Sequence, residues 1–278
     1  MFTWESVAGV RPAVMGVVNV TPDSFSDGGR YLDPDAAVAH GLALAASGAD
    51  LLDVGGESTR PGAEPVPVGE ELRRVVPVVE RLARESGVPV SIDTTKSAVA
   101  AAALAAGATI VNDVSAGRLE PEILGVTAEA GAGYVAMHML GRPRTMQRDP
   151  QYVDVVVEVA DFLVERLDVA RAAGIASGAL AVDPGIGFGK TVAHNLALLA
   201  ALPELVARTR VPMVVGTSRK SFLSRLVPDG DALDARDDAT LATVVWSVDR
   251  GARVVRVHNA LAAARALRLL DVMEGCAA

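Results

Sequence analysis

Short apolar runs recur along the chain, and each is bounded by polar residues, Gly or Pro. Eight runs of this kind occur, at residues 13–18, 50–54, 88–92, 109–111, 134–137, 180–182, 211–215 and 253–257. Continuous runs of small and branched apolar residues are typical of parallel strands that are buried on both faces. The pattern therefore predicts eight β-strands.

Between these runs, the apolar residues change to the spacing of amphipathic helices. Helices are predicted at 33–48, 69–85, 96–106, 120–130, 153–173, 193–208, 239–250 and 260–273. Strict alternation of strand and helix predicts a parallel sheet covered by helices. Eight such units favour the α/β class, folded as a single (β/α)8 TIM barrel. Because no linker divides the chain, we predict one domain over residues 1–278, with its core at about 14–273. An open, doubly wound sheet is the structural alternative.

Polar residues stand at the end of every predicted strand. They are Asn19, Asp53, Asp93, Asn112 with Asp113, His138, Asp183, Ser218 with Lys220, and Arg256 with His258. Buried strands gain nothing from polar groups that lack partners. Because the carboxyl ends of barrel strands converge on the face that holds active sites, these residues predict an enzyme site at that end.

The basic residues among them fall near the last two strands. Arg256 and His258 are two positions apart and project to the same side, while Arg219 and Lys220 follow the preceding strand. The loops after strands seven and eight commonly bind phosphate in this fold, so we predict an anion site there, with Arg60 as a further candidate.

The acidic and amide residues come from other strand ends. Asp93, Asn112 and Asp183 suit a polar heterocycle, because a carboxylate accepts two parallel bonds from an amidine-like N–H pair. A turn is the alternative role for Asp183, which precedes Pro184. The glycine-rich segment 185–191 fits neither the Walker nor the dinucleotide spacing, and we expect its glycines to lie beside a planar ligand.

Composition narrows the class of protein. A hydrophobic content of 50% with 22% charged residues is globular, and a net charge of -8 argues against a nucleic-acid partner. The single cysteine, Cys276, cannot form an internal disulfide. The most apolar stretch, 98–111, is too short to span a bilayer, and no targeting pattern precedes it. We therefore expect a cytoplasmic enzyme without a membrane partner.

The sequence gives little indication of a metal. No HExxH motif or cysteine pair is present, and His40 and His194 fall in predicted helices, so zinc is not expected. A Mg²⁺ ion held partly by substrate phosphates needs one or two protein oxygens, and Asn19 is placed to supply one. The long segment 21–29, which carries Phe25, is either a lid or an ordinary surface loop.

Several ordered segments resemble the signatures of the dihydropteroate synthase family. They are residues 16–29, 53–62, 91–94, 112–115, 183–190, 216–220 and 256–258. The resemblance runs from about Val14 to the last helix and implies a (β/α)8 barrel. It implies a Mg²⁺-dependent transferase of folate biosynthesis, which joins 6-hydroxymethyl-7,8-dihydropterin diphosphate to p-aminobenzoate and gives 7,8-dihydropteroate and pyrophosphate.

The resemblance also implies a role for individual residues. The pterin would be held by Asp93, Asn112, Asp183 and Lys220. The catalytic set would be Asn19, which also binds Mg²⁺, together with Arg60, Lys220, Arg256 and His258. The p-aminobenzoate site would be formed by Phe25, Thr59, Pro61, Phe188 and Ser218. One departure is Asn259, where the family often has an acidic residue, and this leaves substrate affinity open.

Two other functions remain as alternatives. A pterin-binding methyltransferase that serves a corrinoid protein would share the pterin acids but would not need the diphosphate residues, which are all present. A non-catalytic pterin-binding paralogue should have lost a diphosphate or loop residue, and none is lost. The family is usually dimeric, and helix 153–173 has a second apolar stripe at Val155, Phe162 and Val169. That stripe would pair with a second subunit or pack against a neighbouring helix.

Overall fold

The computed structural model describes residues 1–21, 34–60 and 62–277, and the eight predicted strands all lie within them. The strands are β1 (Ala13–Asn19), β2 (Leu51–Gly55), β3 (Val90–Asp93), β4 (Ile110–Asp113), β5 (Gly133–Met137), β6 (Leu180–Asp183), β7 (Val214–Val215) and β8 (Val254–Val257). They pair in parallel in the order β6-β5-β4-β3-β2-β1-β8-β7, and a bridge between Val182 and Met213 joins the two outer strands. The (β/α)8 barrel is confirmed, and the open sheet is excluded.

Helices cover the outside of the barrel. Within the described residues they are α1 (Glu5–Ala8), α2 (Pro34–Ala46), α3 (Val68–Glu85), α4 (Ser97–Ala105), α5 (Glu122–Glu129), α6 (Val155–Ala172), α7 (Val192–Ala200), α8 (Leu202–Thr209), α9 (Ser221–Ser224), α10 (Leu233–Asp249) and α11 (Ala260–Ala277). The predicted helix 193–208 is two helices in the structure, because the helix is interrupted at Ala201. The second helix has Pro203 in its first turn, where proline is favoured. No helix in the described part of the chain is long and apolar enough to cross a membrane.

Side chains along each strand alternate between the inside and the outside of the barrel. Met15 and Val254 belong to the apolar cluster inside the barrel, while Val14 and Val255 belong to the larger cluster between strands and helices. Arg256 follows Val254 by two positions on β8, so its side chain also points into the barrel. The polar strand ends therefore lie directly above the apolar interior. The interior of the barrel is therefore apolar in its lower half and polar at its mouth.

The lower end of the barrel is closed by an element that the apolar pattern did not predict. Trp4 precedes α1 and is only 1% exposed, inside the same cluster as Met15 and Leu51. Its indole Nε1 donates a hydrogen bond of 2.9 Å to the carbonyl oxygen of Ala179, which satisfies the buried N–H group. Trp4 thus seals the end of the barrel opposite the polar mouth.

A buried ionic cluster fixes the start of the loop after β2. Lys96 donates to both Glu57 and Glu71, and Glu71 also accepts a bond of 2.7 Å from the Thr94 hydroxyl. Glu57 accepts a further bond of 2.9 Å from the backbone N–H of Val66. The cluster therefore ties the loop after β2 to α3 and to the loop after β3, with the Glu71 side chain only 1% exposed.

Removal of the Lys96 charge should destabilise the fold, because two largely buried carboxylates would lose their shared partner. We expect Lys96→Met to lower the free energy of unfolding by about 3 kcal/mol, measured by urea denaturation. The control is Arg171→Met, which breaks the exposed pair with Asp168 and should change that free energy by less than about 1 kcal/mol. Equal urea midpoints for Lys96→Met and Arg171→Met would show that the buried cluster does not stabilise the fold.

Candidate active site

The polar strand ends divide by the face on which they lie. Interior positions at the mouth are occupied by Asn19, Asp53, Asp93, Asn112, Asp183, Arg256 and His258, which continue the inward-facing alternation of their strands. Asp113 and His138 are adjacent to inward-facing residues and therefore point outward. The Asp113 carboxylate accepts from the backbone N–H groups of Ser115 and Gly117 and from the Tyr134 hydroxyl, which makes it structural. Of the polar strand ends that predict a site at this end of the barrel, these two residues do not face the mouth.

Arg256 occupies the centre of the mouth, between two carboxylates from neighbouring strands. Its Nε donates to Asp53 Oδ2 at 2.6 Å, and its Nη2 donates to Asp93 Oδ2 at 2.8 Å. Asn112 Nδ2 donates to the same Asp53 oxygen at 2.9 Å. Side chains from β2, β3, β4 and β8 thus form one hydrogen-bonded group.

Burial and charge act in opposite directions in this group. Burial raises the pKa of the Asp93 carboxyl to about 7, although the nearby Arg256 opposes the shift. Burial also disfavours the charge of Arg256, but the carboxylates of Asp53 and Asp93 outweigh it and raise the pKa of the guanidinium. Arg256 therefore remains cationic, while Asp93 can bind a proton near neutral pH.

The loop after β6 brings Asp183, Phe188 and Lys220 together. One Asp183 oxygen accepts from the Gly185 N–H at 2.6 Å, and burial raises the pKa of its carboxyl. Lys220 Nζ donates to the carbonyl oxygen of Ile186 and lies 4.6 Å from the centre of the Phe188 ring. These three side chains line one wall of the mouth.

Two glycines of this loop have a positive φ and closely packed neighbours. Gly185 has φ +68, and a Cβ atom there would lie 1.8 Å from the His138 carbonyl oxygen. Gly187 has φ +84, and a Cβ atom there would lie 3.1 Å from Lys220 Cδ. At Gly185 only glycine allows the loop to pack against the end of β5, and at Gly187 the positive φ favours glycine.

A buried lysine supports the same loop from behind. Lys190 is 3% exposed, and its Nζ lies 2.8 Å from His138 Nδ1 and donates to the Phe188 carbonyl oxygen at 3.1 Å. Burial lowers the pKa of Lys190 well below its usual value and lowers that of His138 to about 2, so the imidazole is neutral. This pair fixes Phe188 in position without facing the mouth.

His258 lies next to Ser218, and two contacts join them. The Ser218 oxygen accepts the His258 backbone N–H at 3.1 Å, and it lies 2.9 Å from His258 Nδ1. When the Ser218 hydroxyl donates to Nδ1, the proton of the neutral ring is on Nε2. Burial and the charge of Arg256 lower the pKa of His258 to about 3, so it is a neutral donor at pH 7.

Arg219 differs from its predicted place in the anion site. Its Nε and Nη2 donate to the two oxygens of Asp237 on α10 at 2.7 and 2.9 Å. Asn259 also lies near Asp237 and helps to lower the pKa of this carboxyl, after the larger effect of Arg219. The guanidinium of Arg219 is therefore paired with a carboxylate of α10. Asn259, the residue that departs from the family pattern, lies beside this pair.

The remaining predicted residues lie at the edge of the mouth. Asn19, at the end of β1, and Thr59 are partly exposed, and Arg60 is exposed. The positive charge of Arg60 helps to lower the pKa of His258, after the effects of burial, Arg256 and Arg219. Phe25 and Pro61, the other two residues predicted for the p-aminobenzoate site, fall outside the described residues.

The sequence-based site omitted two residues that organise the mouth. The sequence predicts Asp53 as a strand end without a role, although it binds both Arg256 and Asn112. It predicts Lys190 only as part of the glycine-rich segment 185–191. A buried acid two positions beyond Leu51 was the available signal for Asp53, whereas the burial of Lys190 has no signature in the local sequence.

Comparison with known proteins gives one consistent family. A model of the pterin binding enzyme family matches residues 15–258. The chain is similar to the dihydropteroate synthase of Mycobacterium leprae (strain TN), with 52% identity over 263 residues that cover 92% of each protein.

Two solved structures of Xanthomonas albilineans dihydropteroate synthase have the same fold. The structure with 4-aminobenzoic acid gives a TM-score of 0.88 at 49% identity, and covers 95% of this chain and 94% of that chain. The complex with 7,8-dihydropteroate gives a TM-score of 0.84 at 46% identity, over the same 95% and 94%. The chain therefore belongs to the pterin-binding enzyme family and, within it, to the dihydropteroate synthases.

Proposed function

We propose that the barrel mouth of this chain binds 6-hydroxymethyl-7,8-dihydropterin diphosphate and p-aminobenzoate side by side, and that the residues predicted from the family resemblance carry the reaction. The observation that supports this best is the position of Arg256. It lies among acids suited to a pterin, and no described residue accepts a hydrogen bond from its Nη1. Arg256 therefore keeps donors for a substrate anion while two carboxylates hold it in place.

The pterin would lie between the wall of Asp183 and Lys220 and the group of Asp93 and Asn112. Asp183 keeps one oxygen on the Gly185 N–H, so its other oxygen is available to a pterin N–H group. The raised pKa of Asp183, caused by burial, shows that the free carboxylate is poorly solvated. An N–H donor from the pterin would replace the lost water and recover that free energy.

The diphosphate would lie towards Arg256, His258 and Arg60. Cleavage of the C–O bond leaves positive charge on the pterin methylene and negative charge on pyrophosphate. Arg256 and Arg60 would stabilise the leaving anion by charge, and His258 would donate its Nε2 proton as a neutral hydrogen bond. The arylamine then attacks the methylene, so the chain needs no nucleophile of its own.

The p-aminobenzoate would occupy the side of the mouth near Ser218, Phe188 and Thr59, with Phe25 and Pro61 as its predicted neighbours. Lys190 holds the backbone of Phe188 through its carbonyl, and the Phe188 side chain packs against the cluster that contains Met137 and Met139. A ring held in this way keeps the arylamine oriented towards the methylene, which lowers the entropy cost of the reaction.

Asn19 is our candidate ligand for Mg²⁺. The amide oxygen is a hard donor of the kind that Mg²⁺ prefers, and it lies at an interior strand end beside the predicted diphosphate position. The described residues contain no group of three or more His, Cys, Asp or Glu able to hold a metal, and in this proposal substrate phosphate oxygens supply further ligands. When bound, Mg²⁺ would neutralise charge on the departing pyrophosphate.

The dimer and the cytoplasmic location also remain proposals from the sequence. Of the second stripe on α6, Val155 is buried, and Phe162 lies 4.9 Å from the His138 ring and 5.0 Å from the Arg118 guanidinium. Of these three residues, Val169 alone is exposed. Most of this stripe therefore packs within the subunit, and the proposal of a homodimer rests on the family resemblance.

Asp183→Asn tests the pterin contact directly. The substitution preserves shape but replaces an acceptor by an amide that can offer N–H to the pterin N–H. We expect kcat/KM for dihydropterin diphosphate to fall at least about 100-fold, which corresponds to a lost charged hydrogen bond. Product is measured by mass spectrometry after incubation with p-aminobenzoate and Mg²⁺.

Asp168→Asn, on the exposed side of α6, is the matched control and should retain full activity. Arg256→Ala should also abolish product while the protein stays folded by circular dichroism. If the folded wild-type protein binds pterin but forms no dihydropteroate, the synthase proposal is overturned in favour of a non-catalytic paralogue.

Asn19→Leu tests the metal site without relying on turnover. Calorimetric titration with inorganic pyrophosphate should show tighter binding in the presence of Mg²⁺ for wild type, and this gain should fall by about tenfold in Asn19→Leu. Asn19→Asp retains the oxygen ligand and should keep the gain. An unchanged effect of Mg²⁺ in the leucine variant would remove Asn19 from the metal site.

A further inference from the structure

The lysines of this chain have an unusual distribution. Of 26 basic residues only three are lysines, and all the others are arginines. Lys96 follows β3, Lys190 follows β6 and Lys220 follows β7, so each lies at the carboxyl end of a strand. Every lysine amine of the protein therefore lies at the same end of the barrel as the proposed active site.

Two of these amines are protected from chemistry by their surroundings. Lys96 is bound by Glu57 and Glu71, whose hydrogen bonds outweigh burial and raise the pKa of its ammonium group. It stays protonated and has no free electron pair. Lys190 is 3% exposed, with its Nζ enclosed by His138 Nδ1 and the Phe188 carbonyl. A reagent from solution cannot reach it.

Lys220 is held differently. It is partly exposed at the mouth, and its Nζ donates to the uncharged carbonyl oxygen of Ile186. Its stem lies against Gly187, and its Nζ lies over the Phe188 ring. Burial, together with the positive charge of Arg256, lowers the pKa of Lys220 to about 8, although Asp183 opposes the shift. A desolvated amine beside another cation is the usual state of a nucleophilic lysine.

We propose that Lys220 is a covalent modification site for small planar aldehydes that carry a phosphate group. The phosphate would bind where we propose that Arg256, His258 and Arg60 hold the substrate diphosphate, and the ring would enter the pterin position. The aldehyde carbon would then lie within reach of Lys220 Nζ. This inference rests on the proposed function for the anion site, but it assigns to Lys220 a reactivity that the synthase reaction does not use.

The reaction is a simple condensation. The electron pair of the neutral Nζ attacks the aldehyde carbon and forms the C–N bond, and the amine proton moves to the carbonyl oxygen. The second amine proton then moves to the same oxygen, which leaves as water, and a C=N bond remains between Lys220 and the ligand. No oxidant or metal is needed. Because Lys220 would then no longer donate to the pterin, the adduct should inhibit the synthase competitively with dihydropterin diphosphate.

Pyridoxal 5′-phosphate is a suitable probe, with pyridoxal as the matched compound that lacks the phosphate. The wild-type protein is incubated with each, reduced with borohydride to fix the imine, and analysed by intact mass and peptide mapping. We expect one adduct on the peptide that contains Lys220, formed at least about tenfold faster with the phosphate. Its rate should rise with pH and be half-maximal at about pH 8.

The α-amino group of Met1 is an internal comparator, because it is exposed and lies far from the mouth. It should react at similar rates with both aldehydes. Lys220→Arg should lose the phosphate-dependent adduct and keep the one on the α-amino group, and inorganic pyrophosphate should protect Lys220 in the wild type.

The inference is overturned if the label falls on Lys96, Lys190 or the α-amino group alone, or if pyridoxal labels Lys220 as fast as its phosphate. The synthase assay on unlabelled protein separates the two proposals. Active enzyme without a Lys220 adduct removes only the modification site, whereas an adduct on folded but inactive protein removes only the synthase.

Discussion

The ion group of Arg256, Asp53 and Asp93 is the interaction on which the polar mouth depends. Charges from strands that are 203 and 163 positions apart in the sequence meet inside a barrel whose lower half is apolar. An isolated charge in such a place would cost several kcal/mol, and only a mutual set of partners makes it tolerable. Its geometry also leaves the guanidinium fixed and partly unused, which is the state a substrate anion requires.

The same constraint explains why structure and chemistry occupy opposite ends of the molecule. Trp4 and the apolar interior close the lower end. At the upper end six strands end in inward-facing polar side chains that the core cannot solvate, namely those of Asn19, Asp53, Asp93, Asn112, Asp183 and Arg256, so these side chains must bind one another or a substrate. The burial that makes Asp183 and Asp93 costly as free anions is therefore also a source of affinity for N–H donors.

The loops around the mouth are supported from behind by contacts that do not touch the substrate positions. Lys96 joins the loop after β2 to α3, and Lys190 holds the loop after β6 against the end of β5. The pair of Arg219 and Asp237 does the same for the loop after β7. Buried polar contacts thus hold the loops around the mouth in place, and a held loop costs less free energy to order when a ligand binds.

The sequence by itself determined the eight strands, the barrel and the family, because periodicity and ordered motifs are local properties of the chain. It also identified most side chains of the mouth, since strand ends are visible as the polar residues after apolar runs. Only the tertiary structure decided that Asp113 and His138 face outward, that Arg219 belongs to Asp237, and that Asp53 holds Arg256. Strand phase and long-range pairing decide these contacts, because a shift of one residue reverses the face and the partners lie far apart in the chain.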